Sequence, residues 1–305
     1  AGADKDLADN NGNTALMLAS KSGQSEVARL LLEAGAKNDL TNNYGYAALT
    51  LASHFGHAET VRVLLEAGAD KDLAHNQGHT ALMLASDEGH SKTAKVLLDA
   101  GADRDLALNQ GWTALLLAST KGHSNTVKVL LDAGAKKDLT NDHGVTALIV
   151  ASLNGHSQTA RVLLEAGADK DLASNEGGTA LIAASEKGHL ETARLLLEAG
   201  ADMDLANNMG YTALMQASAK GRVEVARMLV EAGADKDRAS HHGTTSLMAA
   251  SRLGHAGVAR FLLLEAGADK DLADHKGRTA LTLASKAGHG EIVTLLEDRK
   301  RPRLQ

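Results

Sequence analysis

Residues 67–99 read AGADKDLAHNQGHTALMLASDEGHSKTAKVLLD, and the order of residue types in this stretch decides the fold. Asp70-Lys71-Asp72 and Asn76-Gln77-Gly78 are turn-rich, with Asn and Gly suited to positive φ. They predict an extended, hairpin-like loop. Thr80 stands as an N-cap ahead of Ala81-Leu82-Met83-Leu84-Ala85-Ser86, and Gly89 ends that short helix. Ser91 can cap a second helix over residues 92–100, in which Ala94, Leu97 and Leu98 form one apolar stripe. Gly101 closes it. The unit is loop, helix, turn, helix.

The unit recurs along the chain. Gly78 has counterparts at Gly12, Gly45, Gly111, Gly144, Gly177, Gly210, Gly243 and Gly277, separated by 33 residues seven times and by 34 once. A period of this size marks an array in which each unit buries its apolar face only against its neighbours. The expected fold is an all-α solenoid of nine helix-turn-helix units joined by hairpin-like loops. Repeats fall at about 1–33, 34–66, 67–99, 100–132, 133–165, 166–198, 199–231, 232–265 and 266–298. They form a single domain over 1–298, followed by a short basic tail, 299–305. Ala1-Gly2-Ala3-Asp4 matches the segment that follows a helix in later repeats, and no Met opens the chain. It reads as part of a longer array or as a trimmed product, and its uncapped first repeat suggests end-to-end self-association.

The motifs G-x-T-A-L-x-x-A-S and G-H-x-x-x-A-x-x-L-L-E-A-G-A-D, carried on a 33-residue unit with a hairpin and two antiparallel helices, resemble the ankyrin repeat. The resemblance covers residues 1–298. It departs from the family where the usual T-P-L-H becomes T-A-L followed by Met83, Leu116 or Ile149. The first helix is therefore expected to start without its rigid Pro, with an apolar contact in place of one hydrogen bond between repeats. The resemblance implies a non-catalytic scaffold that binds a partner protein or peptide along a concave face made of loop tips and first helices.

Bulk composition agrees with a binding role. The net charge of −6 argues against nucleic acid as the partner, because backbone phosphate binding needs concentrated Lys and Arg. No run approaches the roughly 18 apolar residues of a membrane span. With no cysteine and no visible leader, an intracellular setting is expected, cytoplasmic rather than nuclear. Nothing calls for a cofactor or a metal, and no enzyme is expected.

Several residues look chemical but recur with the fold. His57, His90, His123, His156, His189, His255 and His289 follow the turn glycine at one repeat position, so a structural role is expected. His241-His242 with His275 lack the further ligands of a tetrahedral metal site. The Asp pairs, such as Asp4/Asp6 and Asp70/Asp72, flank a Lys or Arg and suit turn capping rather than calcium. Ser20, Ser53, Ser86 and their counterparts in all nine repeats are expected to bond to their own helix backbone.

Function is sought where the repeats disagree, at the residues flanking the key glycine and at the two residues closing the first helix. Five of the six aromatics lie there: Tyr44, Tyr46, Phe55, Trp112 and Tyr211. Because the core is built of Leu, Val, Ala and Met, these aromatics read as interface anchors. The densest cluster spans repeats two to four, where His54, His75, His79 and Leu108 join it. Two alternatives stay open: an architectural spacer whose length and stiffness matter, and an engineered consensus-like array. The extra leucine in Phe261-Leu262-Leu263-Leu264-Glu265 predicts a rotated helix end or a bulge.

Overall fold

The computed structural model describes residues 4–297, so the basic tail at 299–305 lies outside the described residues. Regular structure among them is helical. They fall into two compact units, Ala1–Ala147 with Glu165–Ala168, and Leu148–Leu164 with Asp169–Gln305.

In the first unit, the helices Ala15–Lys21, Ala48–His54, Ala81–Asp87 and Ala114–Lys121 pack neighbour against neighbour. A second layer is formed by Ser25–Glu33, Ala58–Glu66, Ser91–Asp99 and Ser124–Asp132. The second unit repeats the plan. Its first layer includes Ala180–Lys187, Ala213–Ala219, Ser246–Leu253 and Ala280–Ala287. Its second includes Leu190–Glu198, Val223–Glu231, Ala256–Arg260 and Gly290–Glu297. Helices of five to nine residues are too short to persist alone, and what holds them is the core of each unit. Leu16, Leu49, Leu82, Leu148 and Leu181 are buried, and so are Met17, Met83 and Leu116 at the position where the family's histidine is replaced. Each buried leucine contributes about 1.5–3 kcal/mol. Ala28, Ala94, Ala160, Ala193 and Ala226 keep the second helices close together.

Thr14, Thr80, Thr113, Thr179, Thr212, Thr245 and Thr279 cap the first helices, each hydroxyl accepting from the amide three residues on. Repeat two has Ala47 at this place and inverts the device. Thr50 accepts from the Ala47 amide at 2.9 Å and donates to the Ala47 carbonyl at 2.8 Å.

The recurring polar residues join successive repeats. His57 Nε2 meets the Lys21 carbonyl at 3.1 Å, and His90, His123, His189, His255 and His289 make the same reach into the preceding repeat. A carbonyl only accepts, so Nε2 carries the proton. Each histidine thus closes the C-terminal end of the previous first helix. Its ring lies against the turn glycine there, and a Cβ on Gly56 would sit 2.6 Å from His90 Nδ1. Arg222 replaces the histidine in repeat seven and performs the same task, its Nε 3.3 Å from the Glu186 carbonyl. The Asp pairs form a ladder. Asp70 accepts from the Asp72 amide of its own turn, and Asp72 accepts from Asp103, 31 residues on, at 2.9 Å. The intervening cations sit at the C-terminal end of the second helix, with Lys5 donating to the Ala34 carbonyl and Arg104 to that of Gly134, where positive charge is favoured.

One feature differs from expectation, and the expected bulge is present. The serine hydroxyls of Ser20, Ser53, Ser86, Ser119, Ser152, Ser185, Ser218 and Ser251 are buried without a hydrogen-bond partner rather than bonded to their helix. The side chain is held for its size at the contact between first helices. The extra leucine, in turn, is absorbed by a π turn over Phe261–Glu265. The Ala266 amide reaches five residues back to Phe261, whereas Ala67 reaches four back to Val63. The ladder then resumes with a separation of 32, Asp269 to Asp237 at 2.8 Å.

Candidate partner-binding site

The loops are built by one backbone scheme. In the third, the His75 amide donates to the His79 carbonyl at 3.0 Å and Gly78 to His75 at 2.8 Å. An acceptor side chain at the first of these positions then gathers the tip amides. Asn42 Oδ1 takes those of Tyr44 and Tyr46, both at 3.0 Å, and Asn141, Asn207 and Asp274 act alike. The residue before the key glycine serves the next loop through its carbonyl, as when Asn76 donates to Tyr44 at 3.4 Å and Asn208 to Glu176 at 3.0 Å. Gly45 must be glycine, because a Cβ would lie 2.5 Å from the Asn76 amide nitrogen. Both residues flanking that glycine serve this scheme through backbone atoms, which lets their side chains vary, although those of Asn13 and Arg278 also bond, to Asp9 and Asp274.

Within the first unit, five sequence-predicted residues come together. Tyr46 and His75 have ring centroids 4.5 Å apart, and His75 stacks on His79 at 4.9 Å and 17°. Phe55 meets His54 edge to face at 4.8 Å. His75 is only 5% exposed. It occupies the Asn42 position of its loop, and its Nδ1 accepts from the Gln77 amide at 2.9 Å. It forms the floor of the cluster, while Tyr44 at 63% and Phe55 at 42% exposure stand above the surface. Burial lowers the pKa of His75, helped by the nearby charges of His79 and His54. Burial also lowers that of His79, against the opposing pull of Asp87. Both shifts favour the uncharged imidazoles, and His54 lies 3.9 Å from Glu88 at the margin of the cluster.

Leu108 and Trp112 are half-buried in the next loop. Leu108 stands where other loops have an acceptor and offers none. The chain there turns as a 3-10 segment, Asn109–Gly111, with Gln110 at φ 67. A Cβ on Gly78 would come no nearer than 3.6 Å to Leu108, at its Cβ. Tyr211 belongs to the second unit, where it lines a pocket of about 250 Å³ together with Arg252, Asp274, Lys276 and Arg278. Asp274 accepts from the Lys276 and Arg278 amides, both at 2.9 Å, and from the Arg278 guanidinium at 2.6 and 2.7 Å. The Arg278 hydrogen bond leads in holding the Asp274 pKa down at about 2. Arg252, Lys276 and Arg278 are site residues that the aromatic pattern does not mark. Their signal in the sequence is the excess of basic residues at the variable positions of the last two repeats.

Among the described residues, no group of three or more His, Cys, Asp or Glu is placed to hold a metal ion. No helix among them is long and apolar enough to cross a membrane.

A family model described as ankyrin repeats in three copies matches residues 1–75, 34–107, 82–174, 166–240 and 235–303. The crystal structure of the human ASB11 ankyrin repeat domain is similar at 26% identity and a TM-score of 0.66, over 73% of this chain and 99% of that one. No curated protein matches. With the family model spanning nearly all of its repeats, the chain belongs to the ankyrin-repeat family.

Proposed function

We propose that the chain is a non-catalytic scaffold that captures a partner protein or peptide along the concave surface of loop tips and first helices. Ankyrin repeats mediate protein–protein interaction, and the finer assignment rests on one observation. The exposed aromatics Tyr44 and Phe55 stand at variable positions of repeat two, which also supplies Tyr46, stacked on the buried His75 of repeat three. Tyr44, Tyr46, Phe55 and Trp112 supply apolar area that is lost to water on binding, while His54, His79 and Glu88 orient the partner. Leu108, in the same loop as Trp112, adds an apolar side chain, and Tyr211 offers a further contact in the second unit. Aromatic anchors in such positions each carry about 2 kcal/mol or more of binding energy.

The test is capture from a cell lysate by the full chain and by the Tyr46→Ala/Trp112→Ala double variant, read by mass spectrometry. Proteins held by the parent chain should be reduced at least tenfold on the variant, with helicity and thermal unfolding almost unchanged. Equal capture by both chains would remove these residues from the site.

A further inference from the structure

We propose that the pocket of about 250 Å³ formed by the loops of repeats seven to nine is a second binding element, which receives carboxylate side chains from an acidic segment of a partner protein. The inference rests on the scaffold reading above and names the chemistry of one part of the partner. Three cations, Arg252, Lys276 and Arg278, line the pocket against one carboxylate, Asp274. That carboxylate is already engaged: it is buried, accepts from two amides, and grips Arg278 through Nε and Nη2. The grip fixes the guanidinium in place and leaves Nη1 out of these bonds. Arg252 is exposed at the end of its first helix and Lys276 is exposed at its loop tip. Among the described residues neither has a carboxylate within ion-pair distance, although Lys220 pairs with Glu186 at 3.4 Å and Arg260 with Glu291 at 3.0 Å.

A concave site with a rigid, pre-placed guanidinium and two unengaged cations suits an anionic side chain, because charge-assisted hydrogen bonds form there without reordering the protein. Tyr211 and Thr244 also line the pocket, with Leu283 as an apolar neighbour. A nucleic-acid strand is the poorer fit. Its phosphates need a track of cations, whereas the positive charge here is gathered in one pocket of a chain whose net charge is −6.

The experiment is fluorescence anisotropy with the full chain and a fluorescein-labelled hexaglutamate peptide, with labelled hexalysine and a ten-residue oligothymidylate as the other probes. Hexaglutamate should bind in preference to both and weaken as salt rises. The Arg252→Glu/Lys276→Glu variant, with its fold checked by circular dichroism, should bind it at least tenfold more weakly. The Tyr46→Ala/Trp112→Ala variant should bind it as the parent does. Binding no better than hexalysine, equal binding by the charge-reversed variant, or tighter binding of the oligothymidylate would each overturn the proposal. The two readings fail separately: lysate capture that survives the aromatic substitutions removes the anchors of the scaffold reading but leaves the hexaglutamate result standing.

Discussion

At position 75 a histidine does the work that asparagine or aspartate does in most other loops, and its chemistry differs in one respect: it titrates. Its Nδ1 must be unprotonated to accept the Gln77 amide, and burial lowers its pKa and that of His79 below the ordinary value of 6.5. Below about pH 6.5 the unfolded chain therefore takes up protons that the folded cluster resists, and stability falls as pH falls. We expect the urea midpoint to drop between about pH 7.5 and about pH 5 by more in the parent chain than in His75→Asn/His79→Gln. Asparagine at position 75 restores the acceptor used at Asn42, Asn141 and Asn207 and carries no proton switch. Equal shifts in the two chains would show that the cluster does not resist protonation. Asp274 obeys the same sign in a lower window. Its stabilising contact with Arg278 is fully present above the ordinary carboxylate range and is lost as pH falls towards about 2.

Among the elements, the π turn at Phe261–Glu265 shows how an insertion is tolerated. The additional residue is wound into a wider turn, and Leu264 is left 47% exposed. The Asp237–Asp269 rung then falls where the 31-residue rungs fall elsewhere. The pair between Glu265 of this turn and Arg227 of the preceding second helix, at 2.5 and 3.2 Å, has its counterpart in Arg29–Glu66, one residue closer in sequence. Deleting Leu264 restores the regular spacing, replaces the wide turn by α-helical bonding and removes an exposed apolar side chain. The expected result is a higher urea midpoint with unchanged helicity. A loss of more than about 1 kcal/mol, a large effect for an exposed position, would mean that the packing of Phe261 under Arg227, 4.5 Å from its ring, needs the bulge.

For the whole molecule, stability in a repeat array is approximately a sum of unit and nearest-neighbour terms, and the junctions here use the same four reaches again and again. Removing residues 199–231, one complete unit, places His255 against Gly188 and Asp235 within reach of Asp171. A junction of the usual type is thereby rebuilt, with histidine in place of Arg222. The shortened chain should remain fully helical and melt cooperatively within a few degrees of the parent, whereas deleting half a unit should not. Circular dichroism melts decide it.

This regularity explains what could be read from the sequence. The glycine period was legible because positive φ and close approach exclude other residues at those points, and the histidines were legible as scaffold because they recur. Their acceptors were not, since each is a backbone carbonyl 36 or 37 residues away. The unbonded serine hydroxyls were hidden too, because a side chain chosen for size looks the same as one chosen for its oxygen. At the site, the aromatics stood out as rare residue types. Arg252, Lys276 and Arg278 are ordinary surface residues in sequence, and only the folding of three loops around one pocket makes them a group.

The histidine reach also sets an order on synthesis. A first helix is made complete in its own sequence, but the group that closes its end is translated 36 residues later, in the following unit. The Asp ladder runs the same way, with each rung waiting on an amide 31 residues ahead. As the chain leaves the ribosome N-terminus first, the newest unit is always unfinished, and every unit behind it has just been sealed. The nascent chain thus carries a single travelling unfinished edge in place of a large unfolded domain.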